Sequence, residues 1–192
     1  MKYINEIIAG CLQGNQKDQK YLYERYYGYC LKVVFRYIFS YDKATDVVHD
    51  GFVKIFGKLH GFCYDETLNP ERLLMGWMRT IMIHTAIDRL RKDNFLPEIG
   101  ILNENAWMID RTSSADQSLL YKELICEIKK LPPGYRAVFN MYIIDGFTHQ
   151  QIADQLKISV GTSKSNLSKA RVLLQKFIKA NDEEILKYAT GK

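Results

Sequence analysis

Apolar positions between residues 18 and 39 recur at helical spacing through Leu22, Tyr26, Tyr29, Val33 and Tyr37, and only Gly28 interrupts them. The stretch predicts one long helix. Val47, Val48, Phe52, Ile55, Phe56 and Leu59 form a second stripe behind Asp42, whose carboxylate suits an N-cap. From His60 to Asn69 the period fails, which predicts a loop. Asn69, Pro70 and Glu71 then supply a cap, a first-position proline and a first-turn acid. Behind them Leu74, Trp77, Met78, Ile81, Ala86, Ile87 and Leu90 carry a third helix to near Asp93.

Residues 95–115 break this pattern with Pro97, Gly100, a Thr-Ser-Ser run and an acidic balance, and read as a connector. Helical spacing resumes near 117–130, halts at Leu131-Pro132-Pro133, continues through Val138 and Tyr142, and breaks at Asp145-Gly146. Thr148 with Gln151 three residues later is a capping box opening a short helix with Ile152, Ala153 and Leu156. Ser159 can cap a further helix to about Lys179. No segment alternates apolar and polar residues with period two, so the fold class expected is all-α. The organisation expected is two small helical domains, 1–95 and 117–180, joined by a flexible linker at 96–116 and followed by a tail at 181–192.

Thr148 to Arg171 reads as a helix-turn-helix. Ala153 is small where the two helices cross, Ile158 plugs the corner, and Val160 and Leu167 turn inward. Lys164, Ser165, Ser168, Lys169 and Arg171 then face out, a basic and hydroxyl-rich surface of the kind that enters a major groove. On pattern alone an ordinary antiparallel helix pair with a polar face remains the alternative. Lys157 sits where such turns often use glycine, so either its backbone is mildly strained or the turn differs.

Charge sharpens this picture. The chain of 192 residues carries a net +5, and residues 117–180 alone carry ten basic against four acidic side chains. Between 160 and 180 there are five cations and no acid, the footprint of a face for polyanions. The third helix is a second basic candidate, with Arg79, His84, Asp88, Arg89, Arg91 and Lys92 on a scaffold of Trp77, Ile81, Ile83 and Ile87. Trp77 fits a core better than a base-stacking platform, and the aromatic crowd from Tyr21 to Tyr41 fits packing with an occasional ring left to stack on unpaired bases.

Signatures of catalysis do not form. Gly51 precedes Gly57-Lys58 as in a phosphate loop, but one residue too far, and Leu59 lacks the hydroxyl that holds Mg²⁺. His49, His60, His84 and His149 have no partners at metal-ligand spacing. Asp46 and Asp50 share a helix face, yet no positioned acid, base or nucleophile joins them, which favours exposed interaction charges. Cys11, Cys30, Cys63 and Cys126 show no paired spacing, so a reducing cytosol is expected. The start superficially looks like a lipoprotein cleavage site at Cys11, but Glu6 interrupts a short apolar run. No stretch approaches 18 consecutive apolar residues. No cofactor, metal or small-molecule substrate is expected.

Four segments resemble, in order and spacing, bacterial RNA polymerase sigma factors of the extracytoplasmic-function group. They are Asp46-Val47-Val48-His49-Asp50-Gly51-Phe52, Gly76 to Ile81 leading into Ala86 to Lys92, Leu131-Pro132-Pro133-Gly134-Tyr135-Arg136, and Ile158 to Ser165. The resemblance implies the family's second and fourth sigma regions on one chain. It implies that Asp46, His49, Asp50 and Phe52 bind core polymerase, at the β′ clamp helices with β also engaged. It further implies minus 10 promoter contacts through His60 to Arg72 and through Arg79, His84, Asp88, Arg89, Arg91 and Lys92. Thr162, Lys164, Ser165, Ser168, Lys169 and Arg171 would then read the minus 35 element. A membrane-anchored anti-sigma factor and a cytoplasmic location are implied as well. This chain has His49 where the family commonly has Gln, Asp50 where it has Glu, His84 where it has Asn, and Ser163 where it has an apolar residue, a packing loss of about 1 kcal/mol if buried. The stretch from Phe62 to Trp77 is longer than in typical members.

The function expected is therefore a non-enzymatic specificity subunit that brings polymerase to promoters and helps melt them. The rivals are a stand-alone helix-turn-helix regulator, whose first domain senses a ligand or dimerises, and a protein-interaction adaptor. A regulator needs a duplicated reading head, and an adaptor does not need an acid-free basic helix.

Overall fold

The computed structural model describes residues 3–63, 69–92 and 125–190, with side chains as far as Ala180. The chain divides after Lys92 into two compact units, and every described element is helical. The connector expected at 96–116 and the start of the helix expected from 117 lie outside the described residues.

The first unit holds four α-helices: α1 (Ile4–Leu12), α2 (Gln16–Phe35), α3 (Tyr41–Lys58) and α4 (Pro70–Lys92), with a 3₁₀ turn at Leu59–Gly61. Asn15 starts α2 by accepting the Lys17 amide at 3.0 Å. Asn69 does the same for α4, accepting the Arg72 amide at 3.1 Å just ahead of Pro70, as its sequence predicts. The start of α3 corrects the sequence reading. Its N-cap is Ser40, and Asp42 lies one position inside the first turn, where its charge faces the positive helix end.

Leu22, Cys30 and Val34 from α2, Val47, Val48 and Ile55 from α3, and Leu74, Met78, Met82, Ile83 and Ile87 from α4 are completely buried. Two glycines permit close helix approach. A β-carbon on Gly51 would lie 2.3 Å from the Met82 sulfur, and one on Gly10 would lie 2.0 Å from the buried Asp18 carboxylate. The aromatic crowd splits as its spacing suggests: Tyr26 and Tyr37 are core, whereas Tyr21 and Tyr41 are exposed.

In the second unit a helical stretch at 125–129 (α5) leads to α6 (Pro133–Phe139), a wide π turn (Asn140–Ile144), α7 (His149–Leu156) and α8 (Val160–Thr190). Its core gathers Ile128, Leu131, Ala170 and Leu174, with Tyr135, Phe139 and Phe177 packed around them. Arg136 reaches back to the carbonyls of Lys129 and Leu131 at 3.1 and 3.4 Å, satisfying the end of α5 before the two prolines. Burial brings its guanidinium down to about 10. Helix α8 runs past the expected end near Lys179 to Thr190, so 181–190 is helical rather than a separate tail.

Candidate nucleic-acid interface

Residues 148–171 form the predicted helix-turn-helix. Thr148 and Gln151 exchange bonds, the Gln151 amide donating to Thr148 Oγ1 at 3.2 Å and the Thr148 amide to Gln151 Oε1 at 2.9 Å. Ile152, Ala153 and Leu156 face the core. Lys157 turns the chain with φ 55° and ψ 47°, the left-handed region that side chains disfavour, so the strained alternative for this turn is the one observed. Ser159 Oγ accepts the Thr162 amide at 2.9 Å to open α8.

On α8, Leu167, Ala170 and Leu174 are buried while Lys164, Ser165, Ser168, Lys169 and Arg171 are exposed. Lys164, Ser168 and Arg171 share a stripe at spacings of four and three residues, with Ser165 beside them. Lys169 departs from that stripe, its ammonium lying 5.9 Å from the centre of the Tyr135 ring. Thr162 is half-buried with its hydroxyl 2.8 Å from Ser159 Oγ, which makes it part of the cap. Ser163 is completely buried, yet its hydroxyl lies 2.9 Å from His149 Nδ1, and the imidazole stacks on Tyr142 at 4.4 Å. The polar residue at this apolar position is thus matched by a histidine to which the sequence alone assigns no role.

A second basic face forms on α4. Trp77, Thr80, His84, Asp88 and Arg91 recur at intervals of three and four along one side, all half-buried, with Lys92 exposed nearby. Phe62 packs its ring 5.2 Å from that of Trp77, so Trp77 is neither core nor free. Helical geometry sends Arg79 and Arg89 to other sides of α4, so the six predicted residues split. From α3, Lys54 reaches Asp88 at 3.6 Å, and Arg91 pairs with the same carboxylate. His84 is held below its usual range by burial and by the charges of Lys58 and Lys54, against an opposing pull from Asp88. Lys54 and Lys58 therefore join this face. Their i, i+4 spacing on α3 is a readable signal, missed because it lies on the helix that the sequence assigns to a protein partner.

The outer side of α3 exposes Asp46, His49 and Asp50, followed by Val53 at 72% exposure. His49 Nε2 lies 3.0 Å from the Tyr23 hydroxyl. Phe52 does not belong to that outer surface. It is buried, with its ring 4.7 Å from Tyr23, so it supports the histidine and aromatic shelf from behind. At the start of α4, Glu71 accepts from Arg25 at 2.7 Å and from Tyr26 at 3.0 Å, tying α4 to α2. Those two bonds hold the Glu71 carboxyl below its ordinary range. Among the described residues no group of three His, Cys, Asp or Glu side chains could hold a metal ion, and no helix is long and apolar enough to cross a membrane.

The model of the sigma-70 region 2 family matches residues 22–95, and that of the sigma-70 region 4 family matches residues 121–174. The chain is 25% identical over 184 residues to the ECF RNA polymerase sigma-E factor of Escherichia coli K12, spanning 86% of this chain and 88% of that protein. It is 24% identical over 180 residues to the Haemophilus influenzae protein of the same description, spanning 88% and 92%. The structure of the sigma factor RpoE from Bartonella quintana, solved in complex with the anti-sigma factor NepR, is similar with a TM-score of 0.50 at 22% identity, covering 85% of this chain and 98% of that one.

Proposed function

The chain belongs to the sigma-70 family, in its extracytoplasmic-function group, and from that premise we propose how its surfaces divide the work of an RNA polymerase sigma factor in transcription initiation. The α8 face of Lys164, Ser165, Ser168 and Arg171 enters the major groove of the minus 35 element. Lys169 and Thr162 act at its edge, one as a phosphate contact and the other as the cap. The α3–α4 face of Lys54, Lys58, His84, Arg91 and Lys92 takes the minus 10 strand once it is unpaired. The outer side of α3, with Asp46, His49 and Asp50, docks on core polymerase, and Phe52 fixes the shape of that surface from inside. The protein catalyses no reaction of its own and works in the cytoplasm. An anti-sigma partner, as in the Bartonella complex, holds it inactive.

The observation that carries this reading is the acid-free outer stripe of α8, seated on a fully formed helix-turn-helix. Cations there release counterions from duplex DNA, so affinity falls steeply with salt. Replacing Lys164 and Lys169 together with alanine should weaken promoter binding and lower the log-log salt slope by about 0.9 for each phosphate that the protein no longer neutralises. An unchanged slope would refute the phosphate role. Run-off transcription with core polymerase tests the whole: the protein must shift where RNA chains begin.

A further inference from the structure

Between Arg72 and Lys92 the sequence holds one acid, Asp88, and the fold places it inside the basic α3–α4 face. Its two oxygens are divided between two cations. Oδ2 lies 3.6 Å from Lys54 Nζ of α3, and Oδ1 pairs with Arg91 of α4. The three side chains are 29–40% exposed, so water and a competing anion can reach all of them. Pairs this exposed add little to folding, so stability does not account for a carboxylate at this spot. A two-oxygen anion held by a lysine and an arginine is the arrangement a backbone phosphate would adopt with the same cations.

We propose that Asp88 is an internal substitute for phosphate that keeps the free protein off nucleic acid. This inference rests on the reading of the α3–α4 face as a strand-binding surface. A strand approaching the face must first displace the carboxylate from Lys54 and Arg91, and it meets a local negative charge while doing so. The penalty falls on every strand alike. A promoter presented by polymerase, with the other contacts already made, overcomes it, whereas random single strands met by the unassembled protein do not. Asp88 thereby lowers absolute affinity rather than reading a base, which revises the role its helix position first suggested.

The test uses the full chain and a fluorescent oligothymidine strand, with dissociation constants measured by anisotropy across a salt series. Asp88→Asn should tighten binding about threefold to tenfold at low salt and steepen the log-log slope by roughly 0.7 to 1.4, the value of one or two phosphate contacts on a single strand. Adding Lys54→Met to Asp88→Asn should remove part of that gain. Glu24→Gln on α2 changes net charge equally and should leave both quantities unchanged; an equal gain there would show a global charge effect and overturn the local claim. A decrease in slope with Lys92→Ala but no response to Asp88→Asn would also overturn it, leaving the face intact. If neither variant changes the slope, the face itself does not bind strands and the inference falls with it. Thermal unfolding of each variant establishes that all are folded.

Discussion

The pair His149 and Ser163 should show strong energetic coupling, and its size follows from the geometry. Ser163 is fully buried on α8 and its hydroxyl lies 2.9 Å from His149 Nδ1 at the head of α7. A hydrogen bond of this kind contributes about 0.5–1.5 kcal/mol net, and removing one partner also leaves the other unsatisfied, a cost of about 1–3 kcal/mol where water cannot reach. Ser163→Ala should therefore cost about 1–2 kcal/mol, because the half-buried imidazole recovers part of its hydration. His149→Phe keeps a ring to stack on Tyr142, now 4.4 Å away, and should cost about 1 kcal/mol. The double variant should cost no more than the worse single one. Once the first partner is gone the second has nothing left to lose, which gives a coupling of about 1 kcal/mol. Replacing both partners with apolar groups, as in His149→Phe with Ser163→Val, should return stability to near that of the parent. The assay is urea unfolding of the full chain followed by circular dichroism and fitted as two transitions, one for each unit. Losses that add to within about 0.3–0.5 kcal/mol would refute the reasoning, since that is how independent sites behave.

Four further outcomes test the packing and electrostatics. Gly10→Ala should destabilise the first unit by about 1–3 kcal/mol, because its β-carbon would collide with Asp18. Gly28→Ala, with open space at that position on α2, should stabilise by about 0.5–1 kcal/mol; equal effects in unfolding experiments would contradict the proposed close approach. Lys157→Gly should raise the melting temperature of the second unit, since the left-handed backbone costs about 1–2 kcal/mol there and only about 0.4–1 kcal/mol is returned through the looser unfolded chain. Folding holds His84 below its usual 6.5, so the unfolded chain binds the proton more readily than the folded unit does. The stability tied to neutral His84 is therefore present above pH 6.5 and is lost as pH falls through the lower folded value. Melting curves at about pH 7.5 and about pH 5.5 should differ less for His84→Gln than for the parent, and an identical difference would exclude this cause.

What could be read from the chain depended on whether a signal was local. The capping box at Thr148 and Gln151, the Asn69-Pro70 start of α4 and the outward set on α8 are decided within four residues and are seen as expected. The start of α3 was not, because Ser40 and Asp42 are both good caps and nothing nearby chooses between them. Phe52 joined the polymerase set through its place in a motif, but the direction of its ring depends on Tyr23, which is 29 residues away in sequence. Arg79 and Arg89 looked like members of one basic helix end, whereas a 3.6-residue turn places them apart from His84 and Arg91. Lys54 and Lys58 are legible as an i, i+4 basic pair, but their place beside His84 and Asp88 shows only once α3 and α4 are packed together.

The same dependence on packing explains why the two basic faces are built differently. A duplex offers a regular array of phosphates, so a reading helix can present bare cations and needs only a firm mount. Between Val160 and Ala180 on α8 there is no acid, and the polar pair of His149 and Ser163 supplies the mount. An unpaired strand is flexible and abundant in a cell as RNA, and a bare cationic groove would bind it without discrimination. On the α3–α4 face the cations are accordingly accompanied by an acid, Asp88, set between the two helices that supply them. On the proposed division of the two faces, whether a carboxylate is present or absent on each thus follows from the state of the nucleic acid that the face would meet.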